Sequence, residues 1–151
     1  MNYTLLLKEL TALLEGENDP IANSANVSAF VMENVPRLNW VGFYFLKDNE
    51  LVLGPFQGKV ACTRIQIGRG VCGAAFQNQK TYNVPDVHAF SDHIACDSAS
   101  ESEVVVPLYK DGKGIGVFDI DSPEKNRFDK ELEDFLVGVA HVYVSSTCFN
   151  A

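Results

Sequence analysis

From Trp40 to Leu46 the chain reads WVGFYFL, with no charged residue in the run. Successive side chains of a strand point to opposite faces, and a half-exposed strand alternates apolar with polar positions. Here Trp40, Gly42, Tyr44 and Leu46 fall on one face, and Val41, Phe43 and Phe45 on the other. Neither face is made for water. The strand is therefore expected to be central, with helices against one side and a long loop over the other, leaving a pocket between loop and sheet.

The neighbouring segments fit that demand. Leu51 to Phe56 follows the turn Lys47-Asp48-Asn49-Glu50, and the two strands read as a hairpin. Glu103 to Tyr109 and Gly114 to Asp121 read as a second hairpin, turned at Asp111-Gly112. Between the hairpins lie a strand from Ala61 to Ile67, a short helix from Val71 to Asn78 and a brief strand from Thr81 to Val84. Residues 85–102 show no periodicity, and a loop of that length inside a domain is often functional.

Leu6, Leu10, Leu13 and Leu14 recur at helical spacing and predict a first helix. Asp19-Pro20 opens a second helix, with Ile21, Ala25, Ser28, Ala29 and Met32 as its apolar stripe and an end before Pro36. Phe128, Leu132, Phe135, Leu136, Val139 and Tyr143 mark a closing helix, with Cys148 on its last turn. The order of elements predicts an α+β fold, a central antiparallel sheet with helices packed on one face and a loop-covered pocket on the other. Residues 1–151 are expected to form a single domain.

Twelve basic against twenty acidic residues give a net charge of -8, which disfavours nucleic acid or an anionic membrane as partner. The N-terminus lacks a basic n-region, and Lys8 and Glu9 interrupt its apolar stretch, so no signal peptide is predicted. A cytosolic location is expected, where thiols are kept reduced. Four cysteines in that setting point to catalysis, metal binding or inert packing rather than a disulfide framework.

Cys62, Cys72 and Cys96 each lie beside turn residues, charges or a histidine. Three chemistries are open to them: thiol redox chemistry, metal binding, or burial as small hydrophobes. Cys96, in the long loop three residues after His93, is the best candidate for an exposed reactive thiol. A metal site would draw on His88, His93 and Cys96 with Cys62 or Cys72, but only His93 and Cys96 have the close spacing of zinc ligands, and no metal is expected. Cys148 is expected to be inert.

Asp119 and Asp121 are two apart and share a strand face, and Glu103 begins the neighbouring strand. Like charges on one face repel unless a cation lies between them or one is protonated. Such a cluster suits a ligand ammonium, or a proton donor. The alternative places Asp121 in the turn Asp121-Ser122-Pro123 with Asp119 exposed. Trp40 and Tyr44 share a face and can line a pocket, or simply belong to the core. Gly68-x-Gly70-x-x-Gly73 lacks the parallel βαβ context of a dinucleotide site and is read as the turn that presents Cys72.

NWVGFYFL, LGPFQGKVACTRIQIGRGVCG, VPDVHAFSDHIACDSASESEVVVPL and GIGVFDIDSP resemble the free methionine-(R)-sulfoxide reductases, small single-domain enzymes with the GAF fold. The resemblance implies reduction of free methionine (R)-sulfoxide to methionine. It implies that Cys96 attacks the sulfoxide sulfur and is left as a sulfenic acid. Cys62 then resolves it to a Cys62–Cys96 disulfide, with Cys72 in the same site as an alternative or relay thiol. Thioredoxin restores the thiols from outside, with no bound cofactor. Trp40 and Tyr44 line the pocket for the methyl end, while Glu103, Asp119 and Asp121 hold the amino group and help protonate the departing oxygen. The R preference comes from the resemblance alone. A homodimer is the expected assembly, as is common among GAF proteins. The competing expectation is a GAF module that binds a small molecule as a sensor without catalysis.

Overall fold

A computed structural model describes residues 1–92 and 99–149. The chain runs α1 (Tyr3–Leu14), α2 (Pro20–Asn34), β1 (Trp40–Lys47), β2 (Glu50–Gln57), β3 (Arg64–Gln66), α3 (Gly70–Asn78), β4 (Tyr82–Val84), a single 3₁₀ turn (Val87–Ala89), β5 (Ser102–Lys110), β6 (Lys113–Ser122) and α4 (Lys130–Ser146). Among the described residues the strands form one antiparallel sheet in the order β3-β2-β1-β6-β5-β4. The aromatic strand β1 is thus interior, as its two apolar faces require. Both hairpins turn on adjacent residues of positive φ, Asp48 and Asn49 in one and Asp111 and Gly112 in the other. That backbone matches the right-handed twist of the flanking strands.

The alternation in β1 divides two cores. Val41 and Phe43 join Val104, Val106 and Leu108 of β5 and Phe118 and Ile120 of β6 beneath the long helices α1, α2 and α4. Each fully buried Leu, Val or Phe there stabilises the fold by about 1.5–3 kcal/mol relative to exposure. Trp40 and Tyr44 face the other way, with Leu51, Val105, Val117 and Cys72. Short α3 packs on this second side, through Val71, Cys72 and Ala75.

Local details differ from the sequence expectation in four places. The buried stripe of α2 is Asn23, Ser24, Val27, Ser28 and Val31, while Ile21 and Ala25 are exposed. Polar Asn23 is buried because its side-chain amide donates to the Glu17 carbonyl at 3.0 Å and to Thr147 Oγ1 at 3.1 Å. Strand β3 is only Arg64–Gln66, and the chain before it is held by other means, described below. The loop after β4 contains the 3₁₀ turn, which Asp86 caps by accepting from the His88 N–H at 3.0 Å. Cys148 lies beyond α4 rather than on its last turn, and it is exposed and free.

Candidate active site

Strand register assembles the site. Asp121 of β6 pairs with Trp40 of β1 on one side and Glu103 of β5 on the other. One step along the same face, Asp119 pairs with Gly42 and Val105. A further step brings Val117 opposite Tyr44 and Pro107. Three carboxyls and two aromatic rings therefore share one face through backbone hydrogen bonding alone. The alternative placing of Asp119 in solvent does not occur: Asp119, Asp121 and Glu103 are all buried.

Cys72 completes this cluster from α3. Its Sγ and one carboxylate oxygen each of Glu103 and Asp119 lie within 4.8 Å of one another. Gly68 and Gly70, both at positive φ, turn the chain into α3, and the Gly68 N–H donates to the Gly73 carbonyl at 2.9 Å. The three glycines build a turn, as expected, not a phosphate cradle.

Burial is the largest influence on every acid of the cluster. It raises Glu103, Asp119 and Asp121 well above the ordinary carboxyl range, with mutual repulsion adding to the effect. Among the described residues, no lysine or arginine figures in the charges acting on them. Like charges directly across a strand pair destabilise it, so burial and repulsion both favour the protonated forms of these acids. Burial, then Asp119, Glu103 and Asp121, likewise push the Cys72 thiol up. Its place in the first turn of α3 would favour a thiolate, but desolvation and three acids outweigh that.

Cys62 lies outside this cluster, half-buried in the segment between β2 and β3, and it is disulfide-bonded, whereas Cys72 is free. Two side chains of β1 fasten that segment to the sheet. Tyr44 donates its hydroxyl to the Cys62 carbonyl at 2.9 Å, and Trp40 Nε1 donates to the Lys59 carbonyl at 3.1 Å. Gly58 permits the crossing: its φ is +134°, and a Cβ there would lie 2.6 Å from Trp40 Cδ1. The rings of Trp40 and Tyr44 are stacked with centroids 6.0 Å apart, and Trp40 also stacks on Phe56 at 5.2 Å.

His93 and Cys96 lie outside the described residues. The chain on either side of them is anchored. Asp92 accepts from Arg69 Nε at 3.0 Å and from the Gly70 N–H at 3.2 Å. Ser100, buried, donates to Asp121 Oδ2 at 3.2 Å and accepts from Asn39 Nδ2 at 3.1 Å. Asn39 and Ser100 were not legible as site residues, because a serine in a polar run gives no sign that it is buried. His88 is exposed and pairs with Glu101 at 2.9 Å, while His93 and Cys96, the other members of the metal set built on it, lie outside the described residues.

A model of the GAF domain matches residues 10–143, which sets the class of protein. The free methionine-R-sulfoxide reductase of Escherichia coli is 50% identical over 134 residues, 89% of this chain and 81% of that protein. The substrate complex of the fRMsr of Staphylococcus aureus superposes with a TM-score of 0.92 at 49% identity, covering 97% of this chain and 95% of that one. The free methionine-R-sulfoxide reductase of Neisseria meningitidis, also in complex with its substrate, gives a TM-score of 0.91 at 44% identity over 95% of this chain and 87% of that one. The chain belongs to the free methionine-R-sulfoxide reductases of the GAF-domain family. Among the described residues, no helix is long and apolar enough to cross a membrane.

Proposed function

We propose that this protein reduces free methionine (R)-sulfoxide to methionine with electrons delivered by thioredoxin in the cytosol. The observation that carries the reading is the buried row Glu103, Asp119 and Asp121, clustered beside Trp40 and, among the described residues, without a lysine or arginine named in the interactions that shift them. A ligand ammonium supplies the missing positive charge. Free methionine sulfoxide carries one; a methionine within a polypeptide does not. Trp40 and Tyr44 give the methyl end an apolar wall.

A sulfoxide is a poor electrophile until its oxygen is protonated or hydrogen-bonded, and the carboxyls hold protons for that purpose. Cys96 attacks the sulfoxide sulfur as a thiolate. A carboxyl supplies the proton, the oxygen moves from the substrate sulfur to Cys96 as the S–O bond and the newly formed sulfur–sulfur bond break, and Cys96 is left as a sulfenic acid while methionine leaves as the reduced sulfide. The Cys62 thiol then attacks the Cys96 sulfur, water departs, and a Cys62–Cys96 disulfide remains. The dithiol of thioredoxin returns two electrons and two protons. The disulfide-bonded state of Cys62 and the free state of Cys72 support this division. Cys72 takes no covalent step in it, since its thiol is held protonated.

The test is NADPH oxidation coupled through thioredoxin reductase and thioredoxin, with the R and S epimers of free and of peptide-bound methionine sulfoxide assayed separately. Consumption with the free R epimer alone is expected. Equal turnover of the peptide-bound or S forms, or none with any form, would overturn the reading.

A further inference from the structure

We propose that Cys72, Glu103 and Asp119 form a site for a thiophilic divalent cation of the zinc and cadmium class, overlapping the position assigned above to the substrate ammonium. The three ligand atoms come from α3, β5 and β6 and lie within 4.8 Å of one another, all on buried residues. Tetrahedral zinc with bonds of about 2.0–2.3 Å needs such atoms about 3.5 Å apart, a contraction within reach of small side-chain rotations. Two further observations point to a cation. Among the described residues, Asp119 Oδ1 and Asp121 Oδ1 are buried and without a hydrogen-bond partner, and Asp121 is only 8% exposed. Asp121 stands next to the group, paired with Glu103 across the sheet.

The donor set selects the metal. Carboxylates alone suit magnesium, calcium or manganese, whereas a thiolate favours softer ions. Cys72 is the thiol for which the reductase reading has no covalent use, and it stands where a cation would meet sulfur and oxygen together. Binding releases the thiol proton to solvent, because a coordinating thiol is deprotonated by the metal. The site itself rests on geometry. Its overlap with substrate rests on the function proposed above.

Cadmium alone is the probe, because a cadmium thiolate has an ultraviolet charge-transfer band. The protein is Cys62→Ser/Cys96→Ser/Cys148→Ser, which keeps Cys72 as its one thiol and cannot turn over. The band is expected to rise to one cadmium per chain. Adding Cys72→Ser should abolish it. Glu103→Gln, which keeps the thiol, should weaken cadmium roughly tenfold or more, since even partners outside the coordination shell contribute about 10- to 100-fold. No band in the Cys72-only protein, with its circular dichroism unchanged, overturns the site; so does undiminished affinity in Glu103→Gln. Displacement of cadmium by free methionine sulfoxide supports the overlap, and a band that persists at saturating sulfoxide overturns it. These readings need no turnover, so they stand apart from the NADPH assay that tests the reductase reading.

Discussion

Tyr44, in the central strand, donates its hydroxyl to the backbone carbonyl of Cys62 at 2.9 Å. A residue of the aromatic wall is thereby also the tether of the proposed resolving cysteine. Substituting Tyr44→Phe keeps the ring and removes the tether. A hydrogen bond of this kind contributes about 0.5–1.5 kcal/mol, which corresponds to roughly 2- to 10-fold. The first release of methionine from reduced enzyme should stay near the wild-type rate, while disulfide formation slows by that factor. Rapid-quench measurement of methionine and of free thiols separates the steps. An equal slowing of both would place the hydroxyl in substrate binding instead.

The three site thiols should respond unequally to replacement. Cys96→Ser should abolish reduction. Cys62→Ser should release a single equivalent of methionine per chain and then recycle poorly with thioredoxin. Normal recycling by that variant would transfer the resolving role to Cys72. Cys72→Ser should retain both stages. Alkylation offers an independent check, because the thiolate is the reactive form. Iodoacetamide should modify exposed Cys148 well before Cys72, whose burial keeps its thiol protonated.

The acid cluster should make the ligand-free protein less stable as pH rises. Burial holds Glu103, Asp119 and Asp121 well above the ordinary carboxyl range. In the unfolded chain the same groups ionise near pH 4 (about 3.9 for Asp and 4.3 for Glu). Above that point the folded chain binds more protons than the unfolded one, so each further rise favours unfolding until the folded-state values are passed. Asp119→Asn should flatten this decline and raise the melting temperature at neutral pH, while weakening turnover. Glu103→Gln should lower kcat by about 100-fold or more if Glu103 supplies the proton. Thermal unfolding across a pH series, with steady-state kinetics, checks both. A fall in stability for Asp119→Asn at neutral pH would show that Asp119 is balanced by a cation.

Sequence disclosed the faces of the site better than its fastenings. Alternation in WVGFYFL assigned Trp40 and Tyr44 to one side of β1 and Val41 and Phe43 to the other, and the two cores follow that division. The spacing of Asp119 and Asp121 carried over in the same way, because period two is fixed by the strand. The second hairpin already set Glu103 beside Asp121, but pattern could not supply the pairing of β1 with β6, on which the meeting of Trp40 and Asp121 depends. Nor could it show that side chains of β1 bond to backbone carbonyls at Lys59 and Cys62, since a carbonyl has no residue signature. The α2 stripe was misplaced for a related reason. Asn23 and Ser24 look like surface residues until their buried hydrogen bonds are known.

Gly42 is the position where the smallest addition should reach the pocket. It lies between Trp40 and Tyr44 on their face of β1, opposite Asp119. A Cβ there would sit 2.4 Å from Phe56 Cβ and 2.7 Å from Trp40 Cη2. Phe56 Cβ is close to a strand backbone and can yield little; the Trp40 indole is the more movable neighbour. Gly42→Ala should therefore push the indole away from Phe56, strain its bond to the Lys59 carbonyl, and cost about 1–3 kcal/mol by overpacking. If Trp40 forms the wall for the substrate methyl group, KM for free methionine sulfoxide should rise more than kcat falls, and the tryptophan emission should shift as the ring is displaced. Loss of stability with an unchanged KM would return Trp40 to a purely structural role.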